Sequence, residues 1–194
     1  MASIYIHVPY CKQLCYYCNF YFSLNTKTID EYINALKLDL QKSHNFITDK
    51  TIDTIYFGGG TPTLLHPSFF QEMIDEISKY FHLQLKEITI EANPDDINQD
   101  YVNELLKTPV NRVSLGIQTF DENLLNKLNR RHTSTSSHKA ILLIKNNFSN
   151  YTIDLLFAVT NNYKILENDL NEIKKYMPQQ PSRNCTAMLR LFLR

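Results

Sequence analysis

Glycine is nearly absent from this 194-residue chain. There are four, and three are consecutive: Gly58, Gly59 and Gly60, with Gly116 the fourth. A chain that uses so little glycine yet places three together needs close backbone approach there. An excess of either charge is also missing. Twenty Lys and Arg face twenty Asp and Glu, for a net charge of zero, which removes the electrostatic case for nucleic acid or an anionic membrane as partner. No stretch approaches ~18 continuous apolar residues, so no membrane span is indicated. The opening MASIYIHVPYC lacks the charged start and long apolar run of a signal peptide, and a cytoplasmic setting, where thiols stay reduced, is expected. Cysteine is scarce too. Of four, Cys11, Cys15 and Cys18 fall together in CKQLCYYCNF, and in a reducing setting such a cluster points to a metal or to catalysis before a disulfide framework.

The rest of the chain alternates strands with helices. SIYIHVP is a short apolar strand ending at Pro9. A helix follows from Thr28, with a capping box from Thr28 to Glu31 and a stripe of Ile29, Tyr32, Ile33, Leu36 and Leu40. TIDTIYF runs into the glycines, and Pro67 suits the first turn of the next helix. KEITIEA, NRVSLGIQ and YTIDLLFAV read as strands three to five, with CTAMLRLFL as a sixth. Helices are expected over 98–107, 121–129, 135–146 and 164–177. Such alternation implies a parallel sheet with right-handed crossovers. An eight-unit barrel takes about 250 residues, so this length admits five or six units. The expected fold is α/β, a partial (βα)5-6 barrel or an open doubly wound sheet, in one domain over residues 1–194.

In such folds the site lies at the carboxyl ends of the strands. The cysteine loop follows strand one, the glycines strand two, and Glu91, Asn93 and Pro94 strand three; Gln118 closes strand four and Asp154 lies in strand five. Three thiolates on one tight loop would hold an iron–sulfur cluster while leaving one iron open. The alternatives are a Cys3His zinc site with His7 as fourth ligand, or three core thiols. Cys185 reads as a core or free thiol.

At CKQLCYYCNF beside YFGGGTPT the chain resembles the radical SAM superfamily. More narrowly, it resembles the oxygen-independent coproporphyrinogen oxidase family and its heme-chaperone branch. The stretches IYIHVPYCKQLCYYCNFY, IYFGGGTPTLL, ITIEANPDDI, NRVSLGIQTFDENLLNKLNRRHT and YTIDLLF carry the likeness, over about residues 3 to 157. The resemblance implies a four-iron, four-sulfur cluster on Cys11, Cys15 and Cys18, with S-adenosylmethionine chelated at the open iron. One electron from the reduced cluster would then cleave the cofactor to methionine and a 5′-deoxyadenosyl radical. By matching motif, Tyr5 and Tyr17 correspond to cofactor contacts, Gly59, Gly60 and Thr61 to the segment beside its methionine moiety, and Glu91, Gln118, Arg130 and Asp154 to its remaining polar contacts. Taken one at a time these residues admit plainer roles. The tyrosines could be packing residues, the glycines a turn, Glu91 and Asp154 loop or cap acceptors, and Arg130 a surface charge at a helix end; Arg131 and His132 read as solvent-facing or structural.

The chain also departs from the family. Phe20 stands where the true oxidases typically carry a fourth cysteine, and the heme-chaperone branch has Phe there. After Asp154 the family continues with a Tyr-Gly-x-Pro-like turn, whereas Phe157-Ala158-Val159-Thr160 has neither Gly nor Pro, so a distorted strand end is expected. Family members run to nearly twice this length, so the C-terminal domain is expected to be absent, and the tail 178–194 matches poorly. Three functional readings follow: a heme-chaperone-type radical SAM protein, a coproporphyrinogen III oxidase, and a truncated metal-binding fragment. Heme or a porphyrin, and an electron donor such as flavodoxin or ferredoxin, are the implied partners.

Overall fold

The computed structural model describes residues 2–176 with their side chains and the backbone of 184–191. Six strands form one sheet: β1 (Ala2–Val8), β2 (Thr51–Gly59), β3 (His82–Ala92), β4 (Arg112–Gln118), β5 (Asn150–Phe157) and β6 (Asn184–Leu191). The helices between them are α1 (Ile29–Ser43), α2 (Ser68–Ser78), α3 (Gln99–Leu105), α4 (Glu122–Lys127), α5 (Ser134–Asn147) and α6 (Tyr163–Lys174). Every strand pair is parallel, and the spatial order is the chain order, β1 to β6. With the order running one way and each crossover right-handed, all the helices fall on one face. A doubly wound sheet needs the order to reverse, so that alternative is excluded and the fold is a partial barrel.

Over most of their length the strands alternate apolar and polar residues. Ile6 and Val8, Ile55 and Phe57, Ile88 and Ile90, Val113, Leu115 and Ile117, and Tyr151, Ile153 and Leu155 are all buried. With side chains pointing to opposite faces at period two, these residues form the helix-covered face. Against it α2 packs Phe70, 4.9 Å between ring centroids from Phe57, and α5 packs Ala140, Ile141 and Ile144. The opposite face carries Tyr5 and His7, Tyr56 and Gly58, Thr89 and Glu91, Ser114 and Gly116, and Thr152 and Asp154. Parallel strands buried on both faces read as near-continuous apolar runs. This alternation instead gives a polar concave wall, a surface suited to a polar ligand.

Two local expectations change. Thr28 precedes α1, but its side chain makes no cap bond. The Tyr10 hydroxyl instead donates to Thr28 O at 2.8 Å and lies 3.1 Å from Thr28 Oγ1, so a tertiary contact displaces the local capping box. β5 leads into Ala158 with φ of 62°, the left-handed conformation that a glycine would adopt without strain. The turn is therefore kept, and Ala158 bears the cost. A left-handed residue other than glycine costs roughly 1–2 kcal/mol, partly offset by the extra freedom glycine loses on folding. β6 pairs with β5 from Asn150↔Asn184 to Phe157↔Leu191, so the expected sixth strand forms, and among the described residues it is a sheet edge. Cys185 lies opposite Tyr151, but its side chain is outside the described residues, as is most of the tail 178–194.

Ala158→Gly is expected to stabilise the protein by about 0.5–1 kcal/mol. Urea unfolding of the two proteins checks this; a midpoint that stays put or falls contradicts the strained turn.

Candidate functional site

The site begins where β1 ends. From Pro9 the chain makes a loop whose root is closed by backbone bonds, Ser23 N to Pro9 O at 2.5 Å and Cys11 N to Ser23 O at 3.0 Å. Gly60 sits against this root. Its N–H donates to Val8 O at 2.7 Å, and a Cβ there would lie 2.6 Å from Tyr10 O and 2.7 Å from Val8 O. Gly59 has φ of +106°, and its Cβ would fall 2.4 Å from the His7 ring. Gly60 thus lets the end of β2 pass under the root of the cysteine loop, and Gly59 lets it pass the His7 ring; their lining of the cavity is a second consequence. The crown of the loop is tied to the far end of α4. Tyr16 N donates to Leu128 O at 3.1 Å, Gln13 Nε2 to Asn129 O and Oδ1 at 2.8 Å each, and Asn129 Nδ2 to Leu14 O at 2.6 Å. Lys12 pairs with the buried Asp96, which also accepts from Thr63 Oγ1 at 3.0 Å. None of these anchors was expected from sequence.

One cavity lies between this loop and the strand ends. Its wall includes Cys11, Cys15 and Cys18, with Tyr17, Gly59, Gly60, Thr61, Glu91, Gln118, Arg130 and Asp154. Every expected site residue is there except Tyr5. Tyr5 stands further out, stacked on Tyr56 at 5.9 Å with its hydroxyl 3.3 Å from His7 Nδ1. Tyr56 in turn donates to Glu91 Oε1 at 2.8 Å, and Gly59 N–H to Glu91 Oε2 at 3.1 Å. Asp154 is buried and accepts from Ser114 Oγ, 3.1 Å from each oxygen. Gln118 occupies a left-handed conformation, φ 69°, at a register shift after Gly116. Its Oε1 is buried without a hydrogen-bond partner. A strained residue with an orphaned acceptor on a cavity wall marks a place for a ligand donor.

Arg130 is no surface charge. Its Nη1 donates to Cys15 Sγ at 3.4 Å and Tyr17 Oη at 3.2 Å, and its Nη2 to Asn93 Oδ1 at 2.7 Å and Gly116 O at 3.0 Å. Its Nε faces His132 Nδ1 at 3.4 Å. Burial works against its charge, yet Tyr17 and Cys15 hold its pKa above the usual value. Burial pushes the Tyr17 hydroxyl well up, against the pull of Arg130. It pushes the Cys11 thiol up as well, opposed by the Thr61 hydroxyl 3.6 Å away. His132 is buried rather than solvent-facing. Its Nε2–H donates to Ile117 O at 3.0 Å, which leaves Nδ1 as acceptor. Burial and the neighbouring guanidinium lower its pKa to about 3. Arg131, on the rim, pairs with Asp95 at 3.1 Å.

The donor set fits a cluster better than a single ion. Among the described residues no three His, Cys, Asp or Glu side chains gather as ligands of one metal ion. His7, the fourth ligand a zinc site would need, has Nε2 3.0 Å from Tyr21 O and Nδ1 beside Tyr5. Three half-exposed free thiols remain on the cavity wall. Asn93 was visible at a strand end, but its place between Arg130 and Thr61 required the fold.

The sequence profile of the Radical SAM superfamily matches residues 5–173. Heme chaperone HemW of Lactococcus lactis subsp. lactis (strain IL1403) is 36% identical over 178 residues, 90% of this chain and 45% of that protein. Heme chaperone HemW of Buchnera aphidicola subsp. Schizaphis graminum is 37% identical over 180 residues, 91% of this chain and 48% of that one. The chain therefore spans just under half the length of these curated relatives. Among solved structures, coproporphyrinogen III oxidase (HemN) from Escherichia coli superposes with a TM-score of 0.83 at 22% identity, over 98% of this chain and 44% of that one. At that identity the likeness shows the fold.

Two consequences can be measured. Gly60→Ala forces a Cβ into backbone atoms that cannot rotate away, and a loss of about 2–4 kcal/mol is expected in urea unfolding, at the upper end of overpacking costs; a loss below 1 kcal/mol contradicts the close approach. For His132, the unfolded chain takes up a proton near pH 6.5 that the folded one refuses down to about 3, so stability falls as pH drops through that window. At the full slope this amounts to about 2 kcal/mol between pH 6.5 and 5. His132→Asn should lose stability less steeply over that interval than the parent; parallel curves refute the buried neutral imidazole.

Proposed function

The chain belongs to the radical SAM superfamily, and on that premise we propose that Cys11, Cys15 and Cys18 hold a [4Fe–4S] cluster beside an S-adenosylmethionine site in a protein of the heme-chaperone type. The observation that carries this reading is the convergence of all three thiols and every expected cofactor contact but Tyr5 on one cavity. Residues 1–194 form a single radical SAM core in this reading.

When bound, the cluster and S-adenosylmethionine together supply a one-electron reductive cleavage that yields a carbon-centred radical; the hard chemistry is theirs, and the protein binds and orients. Arg130 offsets the negative charge of three thiolates, its own donors being taken up by Cys15, Tyr17, Asn93, Gly116 and His132. Glu91 and Asp154 are acceptors suited to an ammonium group and to ribose hydroxyls. The unpartnered Gln118 Oε1 takes one further donor. Tyr17, partly buried against Leu124, Leu128 and Leu156, accepts from Arg130 beside the cavity and helps hold the guanidinium in place. A one-electron donor of the flavodoxin or ferredoxin kind is required, and heme or a porphyrin is the proposed cargo. Phe20 supports the chaperone over the oxidase: it lies at the cavity mouth, 58% exposed, where the oxidases typically carry a fourth cysteine, and the relatives above bear the heme-chaperone name. No helix among the described residues is long and apolar enough to cross a membrane.

Anaerobic reconstitution with iron and sulfide should give a brown protein absorbing near ~400 nm that releases 5′-deoxyadenosine from S-adenosylmethionine with dithionite. A colourless product holding one zinc per chain excludes the reading, and decarboxylation of coproporphyrinogen under the same conditions would reassign it to the oxidase. Cys15→Ala should lose the iron and the visible band; unchanged iron content in that variant contradicts the ligand assignment.

A further inference from the structure

The polar groups facing Cys11 and Cys15 belong to one chain of hydrogen bonds. Arg130 Nη1 donates to Cys15 Sγ at 3.4 Å and Nη2 to Asn93 Oδ1 at 2.7 Å. Asn93 Nδ2 donates to Thr61 Oγ1 at 3.1 Å, and Thr61 Oγ1 lies 3.6 Å from Cys11 Sγ. Chemistry fixes the direction of each link. A guanidinium has donors only, so the amide oxygen of Asn93 must face Arg130 and its NH2 group must face Thr61. The Thr61 oxygen then accepts, and its own proton is left for Cys11. Both ends of the chain therefore present a proton to sulfur, and each bond polarises the next. A buried residue holds the far side. His132 Nδ1 accepts from Arg130 Nε at 3.4 Å while its Nε2–H is spent on Ile117 O at 3.0 Å. With Gly116 O also taking Nη2 at 3.0 Å, the guanidinium plane has little freedom to turn.

We infer that Thr61 and Arg130 are paired hydrogen-bond donors to the sulfurs of Cys11 and Cys15, aligned by Asn93, and that they set the reduction potential of the cluster these sulfurs hold. The inference rests on the cluster assignment above. Reduction adds an electron to a group already carrying thiolate charge, and donors to the sulfurs favour the more negative state. Asn93 is a positioning residue: it touches neither sulfur, yet it fixes which way the Thr61 hydroxyl points and where Arg130 lies. Outer partners of this kind tune a metal site without ligating it.

The test is a redox titration followed by electron paramagnetic resonance on the full chain, reconstituted anaerobically without S-adenosylmethionine, with iron and acid-labile sulfide measured on each sample. Thr61→Val, which keeps the shape and removes the donor, should retain its iron and shift the midpoint to a more negative potential. Thr61→Ser should return to the parent value, which a merely structural role for Thr61 would not produce. Asn93→Ala should shift in the same direction as Thr61→Val. Full iron with an unshifted midpoint in Thr61→Val overturns the inference and leaves the cluster assignment standing. If Thr61→Val does not load, Asn93→Ala decides by the same criterion. A parent protein that takes up no iron or sulfide defeats the cluster assignment itself.

Discussion

A guanidinium offers five donors in one rigid plane, and at Arg130 separate parts of the chain are arranged around that plane. The cysteine loop contributes Cys15 and Tyr17, the turn after β3 contributes Asn93, β4 contributes Gly116, and His132 follows two residues on. A buried cation tolerates this position only when its donors are taken up. That constraint fixes the strand ends relative to one another. It adds to the burial that lowers the His132 pKa to about 3, since a second cation beside the first would find no partner. It also explains why the short helix α4 ends in a left-handed Asn129, φ 57°. That residue turns the chain so that Arg130 points inward, while its side chain grips the loop at Leu14.

The sheet places these groups together through a simple division of labour between its faces. The buried aliphatic residues carry the packing against the helices, and the polar residues between them are left facing the hollow of a partial barrel. The strength of the core therefore does not depend on the identity of the concave residues. Strain is concentrated on the functional side, at Gln118 and at the left-handed Ala158 just beyond β5, which is where a fold can carry it when the surrounding sheet is secure. The cysteine loop is likewise irregular but not loose. Its root is pinned by Gly60 and Ser23 and its crown by α4.

Much of this was legible in the chain itself. The strand and helix order follows from apolar periodicity; the three cysteines, three glycines, Glu91, Gln118 and Asp154 stand out by type and by position at the strand ends, and Arg130 only through the family resemblance. Other features were hidden, for physical reasons that differ. Thr28 reads as a helix cap, but Tyr10, far away in sequence, takes its carbonyl. His132 reads as solvent-facing or structural, and nothing local decides between the two until β4 buries it against Ile117. Asn93 and Lys12 are ordinary polar residues until the strand ends meet.

The sequence by itself determined the element order, the parallel sheet and the chemical nature of the site, because periodicity and the C-x3-C-x2-C spacing act over short distances that the chain encodes locally. Only the tertiary structure decided that the strand order runs one way and closes toward a barrel. Only it showed that Gly60 answers first to the backbone of Val8 and Tyr10, and that Arg130, Asn93 and Thr61 join two sulfurs in one directed chain. Those outcomes depend on groups 32 to 115 residues apart meeting within hydrogen-bond distance, and no local pattern specifies such meetings until the helices have packed on the sheet.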